Sequence, residues 1–270
     1  MTDASSGPDP DSLFDQLRSA INDERPAALA TVVEGPGVGG KILLDHEGEA
    51  RGTLGNPDLD RVVLRDLIGE LAAGTSGIRH YGPNGEARQD EVMVFVETFA
   101  PPPQMLIFGA VDFTAALTRV AKVLGYRVTV CDARPVFATT QRFPYADEVV
   151  VDWPHRLLEK VGGELGPRDV VCVLTHDPKF DVPAVLAAME TDVGYLGAMG
   201  SRRTTEDRNK RLRAEGMTDE QLDRIMAPIG LDLGARTPEE TAISICAEII
   251  ALRAGRVAPS LRDGAGDIHA

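Results

Sequence analysis

A chain of 270 residues with 43% hydrophobic content is long enough for one large or two ordinary domains, each with its own core. Its 28 basic and 42 acidic residues leave a net charge of −14, which argues against nucleic acid or an anionic membrane as the main partner. A phosphorylated small ligand stays open, because a local basic site can sit on an acidic protein. The three cysteines, at 131, 172 and 246, form no C-x-x-C pair and fit a reduced, cytoplasmic compartment. The polar, acidic N-terminus lacks signal-peptide character, and no apolar run approaches the ~18 residues of a membrane span.

Residues 1–10 and 258–270 are polar and contain Gly, Pro and Asp, so they are expected to be disordered tails. Between them the run Ala100-Pro101-Pro102-Pro103 cannot join a ladder and reads as a semi-rigid linker, dividing a domain over 11–100 from one over 101–257. In the first, Leu13, Leu17, Ala20 and Ile21 form a helical stripe and Ala28–Val33 a strand. Residues 41–44 and 50–54 form a hairpin through Asp45-His46-Glu47-Gly48, followed by a helix over 59–71 and a buried strand over 92–96. That pattern is a small α+β domain. After the linker, apolar strands at 105–109, 126–131, 147–151, 169–174 and 193–198 alternate with helical patterns at 113–124, 134–141, 154–162 and 182–189. Helices over 202–215, 218–226 and 238–254 close the chain. The last carries a start signal in Thr237, Pro238 and Glu240. The alternation predicts an α/β, Rossmann-like domain with a parallel sheet and helices on both faces.

Ligands of such sheets bind at the carboxyl ends of the strands, which selects four segments. The first is Gly109-Ala110-Val111-Asp112, where a dinucleotide-binding turn would read G-x-G-x-x-G. Val111 replaces the glycine that lets the backbone approach a pyrophosphate, and Asp112 adds a like charge. Two such charges about 5 Å apart repel by on the order of 3 kcal/mol at an effective dielectric of about 20. Asp112 otherwise serves as a helix cap. The second segment is Cys131-Asp132. Asp132 lies 23 residues beyond Gly109, where an acid can bond a ribose hydroxyl or cap a following helix. Cys131 reads as a small buried residue rather than a reactive thiol, and Cys172 and Cys246 as core. The third is Thr175-His176-Asp177-Pro178, with His176 and Asp177 as pocket-lining residues and Asp181 as the cap of the next helix. In the fourth, Gly200-Ser201-Arg202-Arg203, a turn opens a helix on two arginines, against the helix dipole. That favours a bound phosphate or carboxylate. No zinc spacing, nucleophile elbow or Walker loop is present, so no catalytic residue and no metal ligand is assigned.

The segments Met105–Gly109, Val128-Thr129-Val130-Cys131-Asp132-Ala133-Arg134-Pro135, Leu174–Pro178, Tyr195–Arg203 and Pro228–Glu240, in that order and spacing, resemble the XdhC/CoxI family. Its members are accessory proteins of xanthine and carbon monoxide dehydrogenases. The likeness is strong over 103–256 and extends more weakly over 28–97. It implies a maturation chaperone rather than an enzyme, which binds molybdenum cofactor (molybdopterin) and assists its insertion into a molybdenum hydroxylase. A cysteine desulfurase is a candidate second partner and a homodimer a candidate assembly. This chain departs from the family at the Gly109–Asp112 turn, where the family carries G-x-G-H. It also lacks the Gly-Gly-Cys segment around Gly52–Asp60 and a second cysteine before Val92. The expected contacts are Gly109 and Ala110 at the turn and Asp132 on a hydroxyl or pterin nitrogen. His176 and Asp177 would line the pocket, with Gly200, Ser201, Arg202 and Arg203 on phosphate. The alternatives are an NAD(P)-dependent oxidoreductase and a degenerate Rossmann protein that only docks a partner.

Overall fold

A computed structural model describes residues 12–87 and 89–263, and the chain divides into two compact units between Pro101 and Pro102. The N-terminal unit runs α1 (Leu13–Asn22), β1 (Ala27–Glu34), β2 (Lys41–Leu44), β3 (Ala50–Thr53), α2 (Pro57–Ala73), β4 (Gly77–Tyr81) and β5 (Val92–Phe99). Its antiparallel sheet has the order β3-β2-β1-β5-β4. Alternate residues Ala28, Ala30 and Val32 of β1 and Val92, Val94 and Val96 of β5 bury against Leu59, Val63 and Leu67 of α2. In the hairpin turn Asp45 Oδ1 accepts hydrogen bonds from the Glu47 and Glu49 N–H groups at 2.9 Å.

The C-terminal unit runs β6 (Gln104–Phe108), α3 (Asp112–Val123), β7 (Arg127–Cys131), β8 (Glu148–Val150), α4 (Pro154–Val161), β9 (Val170–Val173), α5 (Pro178–Met189), β10 (Tyr195–Ala198), α6 (Arg202–Ala214), α7 (Asp219–Asp223), β11 (Ile225–Met226) and α8 (Pro238–Arg253). All pairings are parallel and the order is β11-β10-β9-β6-β7-β8, the doubly wound Rossmann arrangement. The chain reverses direction across the sheet between β6 and β9, so the ligand crevice belongs above their carboxyl ends. Both faces are covered. Leu106 and Phe108 of β6 pack with Leu158, Val185 and Leu212 from α4, α5 and α6, whereas Met105 and Ile107 pack with Leu117 of α3 and Ile245 of α8. No helix among the described residues is long and apolar enough to cross a membrane.

Several elements differ from the sequence expectation. Residues 134–141 form turns rather than a helix; the Arg134 N–H donates to the Asp132 carboxylate, and Thr139 turns the chain by accepting from the Arg142 N–H. The helix expected over 218–226 stops at Asp223, and Ile225–Met226 adds to the sheet edge beside Leu196 and Gly197. β4 carries its apolar residues at Ile78 and Tyr81, an odd spacing that hides a half-exposed strand. The helix expected over 182–189 starts at Pro178 and is capped by Asp177, whose side chain accepts from the Lys179 N–H. Asp181 is therefore not its cap, and Pro183 lies inside the helix. α3 is entered through Val111, which makes no side-chain cap bond. Asp112 is its first residue, with the side chain 89% exposed. The Thr237–Glu240 capping box forms as expected. Within the tail expected to be disordered, Leu261–Asp263 makes a single 3₁₀ turn, closed by the Asp263 N–H on the Ser260 carbonyl. Residues 1–10 and 264–270 lie outside the described residues.

Glu248, the one charge in the apolar stretch 242–252, has a partner at each side. Its Oε2 accepts from the Tyr195 hydroxyl at 2.6 Å and from the Gly230 N–H at 2.9 Å, fastening the 227–231 loop to β10. Gly230, at φ 95°, comes so close to α8 that a β-carbon there would lie 2.5 Å from Ser244 Oγ.

Candidate functional site

At the carboxyl end of β6 the chain makes a sharp turn on Gly109, at φ 114°. A β-carbon there would meet Thr175 at 2.9–3.0 Å, so only glycine lets β6 and the end of β9 lie this close. The next N–H, that of Ala110, donates to Asp132 Oδ2 at 2.8 Å. In a dinucleotide-binding protein this turn would face a pyrophosphate; here a carboxylate of the protein occupies its first donor.

Asp132 is 3% exposed and saturated. Its Oδ1 accepts from the Arg134 backbone N–H and Nε at 2.9 Å, and its Oδ2 also accepts from Arg134 Nη2 at 2.8 Å. Burial raises the carboxyl pKa, but the bonds from Arg134 and Ala110 outweigh it and hold the group below the usual carboxylate value. The bond to Asp132 likewise raises the Arg134 pKa. The guanidinium lies 4.6 Å from the centre of the Phe137 ring and 5.9 Å from that of Phe180. Phe180 also packs on Trp153, with ring centroids 4.9 Å apart. Arg142 Nη1 donates to the Ala110 carbonyl at 3.2 Å, and its Nη2 lies 3.5 Å from Asp112. The glycine turn is thus held on both sides by residues of the 132–142 segment.

His176 is exposed, and Asp177 holds the first turn of α5. The Lys179 backbone N–H is the main cause that lowers the Asp177 pKa, and the charge of Arg134 adds to it. Ala110, Asp132 and Arg134 therefore form one hydrogen-bonded group beside Gly109, while Asp177 pairs with Lys179. Gly200–Arg203 form a second. Ser201 caps α6 by accepting from the Thr204 N–H at 3.1 Å, and Arg202 and Arg203 are exposed and make no ion pair among the described residues. The N–H groups of Ser201, Arg202 and Arg203 precede the first intrahelical bonds of α6.

One buried charged side chain near this edge, Arg208, is absent from the sequence analysis. Arg208 lies on the buried face of α6 with Thr205 and Leu212, and its side chain is 3% exposed. Its Nη2 donates to the Met199 carbonyl and lies 3.5 Å from Asp181 Oδ2. Burial pushes the Asp181 carboxyl up to about 6, with Arg208 opposing, and burial also lowers the Arg208 pKa. The available signal was the spacing 205, 208, 212, which places an arginine on an apolar helical stripe.

All three cysteines are buried and unpaired by disulfides. Cys131 Sγ donates to the Asp152 carbonyl at 3.2 Å, and burial pushes its thiol up to about 12. Native protein should accordingly react with a thiol-specific chromogenic probe over hours and within seconds once unfolded. Fast labelling of Cys131 in the native state would contradict its placement. No group of three or more His, Cys, Asp or Glu side chains suited to a metal ion occurs among the described residues.

The family model described as the XdhC Rossmann domain matches residues 105–249, just over half of the chain. The chain belongs to the XdhC family. A second model, the XdhC and CoxI family, matches residues 20–82. Among curated relatives of this XdhC chain, a probable xanthine dehydrogenase subunit of Bacillus subtilis (strain 168) is 31% identical over 160 residues, covering 59% of this chain and 46% of the relative. The molybdenum cofactor insertion chaperone PaoD of Escherichia coli (strain K12) is 28% identical over 155 residues, covering 57% and 42%. An uncharacterized E. coli protein, YqeB, is 25% identical over 258 residues, covering 89% and 46%. The chain spans less than half the length of each. A crystal structure titled as a xanthine dehydrogenase from Bacillus halodurans superposes with a TM-score of 0.54 at 21% identity, covering 92% of this chain and 97% of that one, and shows the shared fold.

Proposed function

We propose that this XdhC chain is a cytoplasmic accessory protein for a molybdenum hydroxylase of the xanthine or carbon monoxide dehydrogenase type. It holds molybdenum cofactor as cargo and assists its insertion, with a cysteine desulfurase as the source of sulfur for the cofactor. The observation that carries this is the contrast between the two helix starts at the sheet edge. At α3, where a dinucleotide would dock, the protein's own Asp132 takes the Ala110 N–H and Arg142 takes the Ala110 carbonyl. At α6 the first N–H groups have no intrahelical partner, and Ser201 and two arginines without ion pairs among the described residues are exposed. That donor set suits a phosphate monoester such as the tail of a pterin cofactor. It offers no thiolate to the metal, since all three cysteines are buried.

Gly200, Ser201, Arg202 and Arg203 are assigned to the phosphate, and His176 and Asp177 to the rim. Asp132, held by the Ala110 N–H at the Gly109 turn, orients the Arg134 guanidinium. The bound cofactor supplies the redox-active molybdenum to the client enzyme. The chain's own task is to bind it by its polar tail, orient it and release it.

Isothermal titration of the full chain with molybdenum cofactor, then with NADH and NADPH, tests this. Cofactor should bind, and either nicotinamide should bind no tighter than roughly millimolar. Arg202→Ala or Arg203→Ala should lose about 1.5–3 kcal/mol of cofactor affinity, the range for a hydrogen bond to a charged group, with folding nearly unchanged. A micromolar nicotinamide complex would restore the oxidoreductase reading.

A further inference from the structure

Beneath the α6 start lies a cluster of polar atoms with no partner. Arg208 Nε and Nη1, Thr205 Oγ1 and Asp181 Oδ1 are all buried and unbonded. Arg208 and Asp181 are 2% and 3% exposed, and leaving such groups unmatched in a protein interior is costly. Thr205 and Arg208 are three residues apart on α6, so they lie on one face of the helix. Asp181 sits in the first turn of α5, where the helix dipole favours an anion, and Arg208 reaches it from the second turn of α6. The Gly200 turn lies directly over the cluster. A β-carbon at Gly200 would lie 3.4 Å from Arg208 Nη2 and 3.2 Å from Thr204, so the glycine brings the turn close over the guanidinium with no side chain between them.

We propose that Arg208 and Thr205 are the buried floor of an anion receptor for a phosphate monoester or inorganic phosphate entering over Gly200, and that Asp181 is its built-in competitor. The proposal rests on the cofactor reading for the identity of the cargo but not for the receptor itself. Arg208 contributes its two unbonded donors and Thr205 its hydroxyl, while the N–H groups of Ser201 and Arg202 close the anion from above. The Asp181 carboxylate, 3.5 Å from Arg208 Nη2, holds the guanidinium in the empty state and repels the entering anion. The outer Arg202 and Arg203 guide the anion in; the inner arginine holds it. An arginine fork, rather than a point charge, fits this task because its donors span two oxygens.

The test is calorimetric titration of the full chain with inorganic phosphate, at constant ionic strength set with chloride, on the parent, Asp181→Asn, Thr205→Val and Arg208→Lys. The parent should bind phosphate with a dissociation constant of roughly millimolar. Asp181→Asn should bind about tenfold more tightly, through loss of a like charge. Thr205→Val and Arg208→Lys should each bind at least about fivefold more weakly. Thr205→Val and Asp181→Asn nearly keep the volume of the parent side chains and decide the matter if Arg208→Lys fails to fold. The receptor is overturned if the parent binds no phosphate, if folded Asp181→Asn binds equally or more weakly, or if Thr205→Val binds as the parent does. Molybdenum cofactor is titrated in parallel. Cofactor binding without the phosphate pattern would sink the receptor and keep the accessory role. The phosphate pattern without cofactor binding would do the reverse.

Discussion

Asp132→Ala should destabilise the C-terminal unit by on the order of 3–4 kcal/mol. The substitution removes an acceptor of four hydrogen bonds, from the Ala110 N–H, the Arg134 N–H and two guanidinium nitrogens. Bonds to a charged group contribute about 1.5–3 kcal/mol each, and a buried donor left unmatched costs about 1–3 kcal/mol. These do not add in full, because Arg134 is 45% exposed and water can take over its bonds. The Ala110 N–H has no such recourse, since Ala110 is 3% exposed. Trp153, the single tryptophan of the chain, lies in this unit and reports its unfolding by fluorescence in urea. Asp132→Asn should lose roughly half as much, because its amide oxygen still accepts from Ala110. A midpoint for Asp132→Ala within about 0.5 kcal/mol of the parent would show that the turn holds without its carboxylate.

The stability of the same unit should rise, not fall, on mild acidification. Folded Asp181 keeps its proton up to about pH 6, against an ordinary value of 3.8, so between those values the folded state binds more protons than the unfolded chain. Stability must then increase as pH falls through that window, by on the order of 2–3 kcal/mol from this group. Burial is the main cause; Arg208 and Arg211 oppose it and Asp177 reinforces it. Asp132, Asp147 and Asp152, held below their ordinary value, act in the opposite sense at still lower pH, where each loses its partners as it protonates. The profile should therefore peak in the mildly acidic range. Asp181→Asn, which carries no titrating group, should flatten the limb between pH 4 and 6 when urea midpoints are compared. A parent that is most stable at pH 7 and loses stability steadily below it would refute the assignment.

The order of strands and helices after the triple proline was legible because each strand is a short apolar run with a turn signal behind it, and the Thr237–Glu240 box marks its helix in four letters. Tertiary demands hid the rest. Residues 134–141 show a helical pattern, but the segment folds into turns closed at Thr139 and Phe143. Ile225 and Met226 read as the end of a helix because nothing local signals that a sheet edge is waiting for them. Pro183 looks like a helix start, which drew the cap from Asp177 to Asp181 and obscured Asp181 as the partner of Arg208. The segments at the sheet edge could be chosen from the rule for open parallel sheets. That Asp132 would turn inward to Ala110, and that a buried arginine would lie below Gly200, depends on contacts across 22 and 27 residues, beyond any pattern along the chain.

A Rossmann turn whose leading N–H is already matched has a thermodynamic consequence. In a fold that relies on its nucleotide to satisfy that donor, the ligand-free form is penalised and mass action makes stability follow ligand concentration. Here Asp132 is a tethered counter-ion, present at all times and independent of supply. That donor is matched whether or not a ligand is bound. For a protein proposed to cycle between loaded and unloaded forms, that keeps this turn formed between deliveries and closed to an abundant dinucleotide.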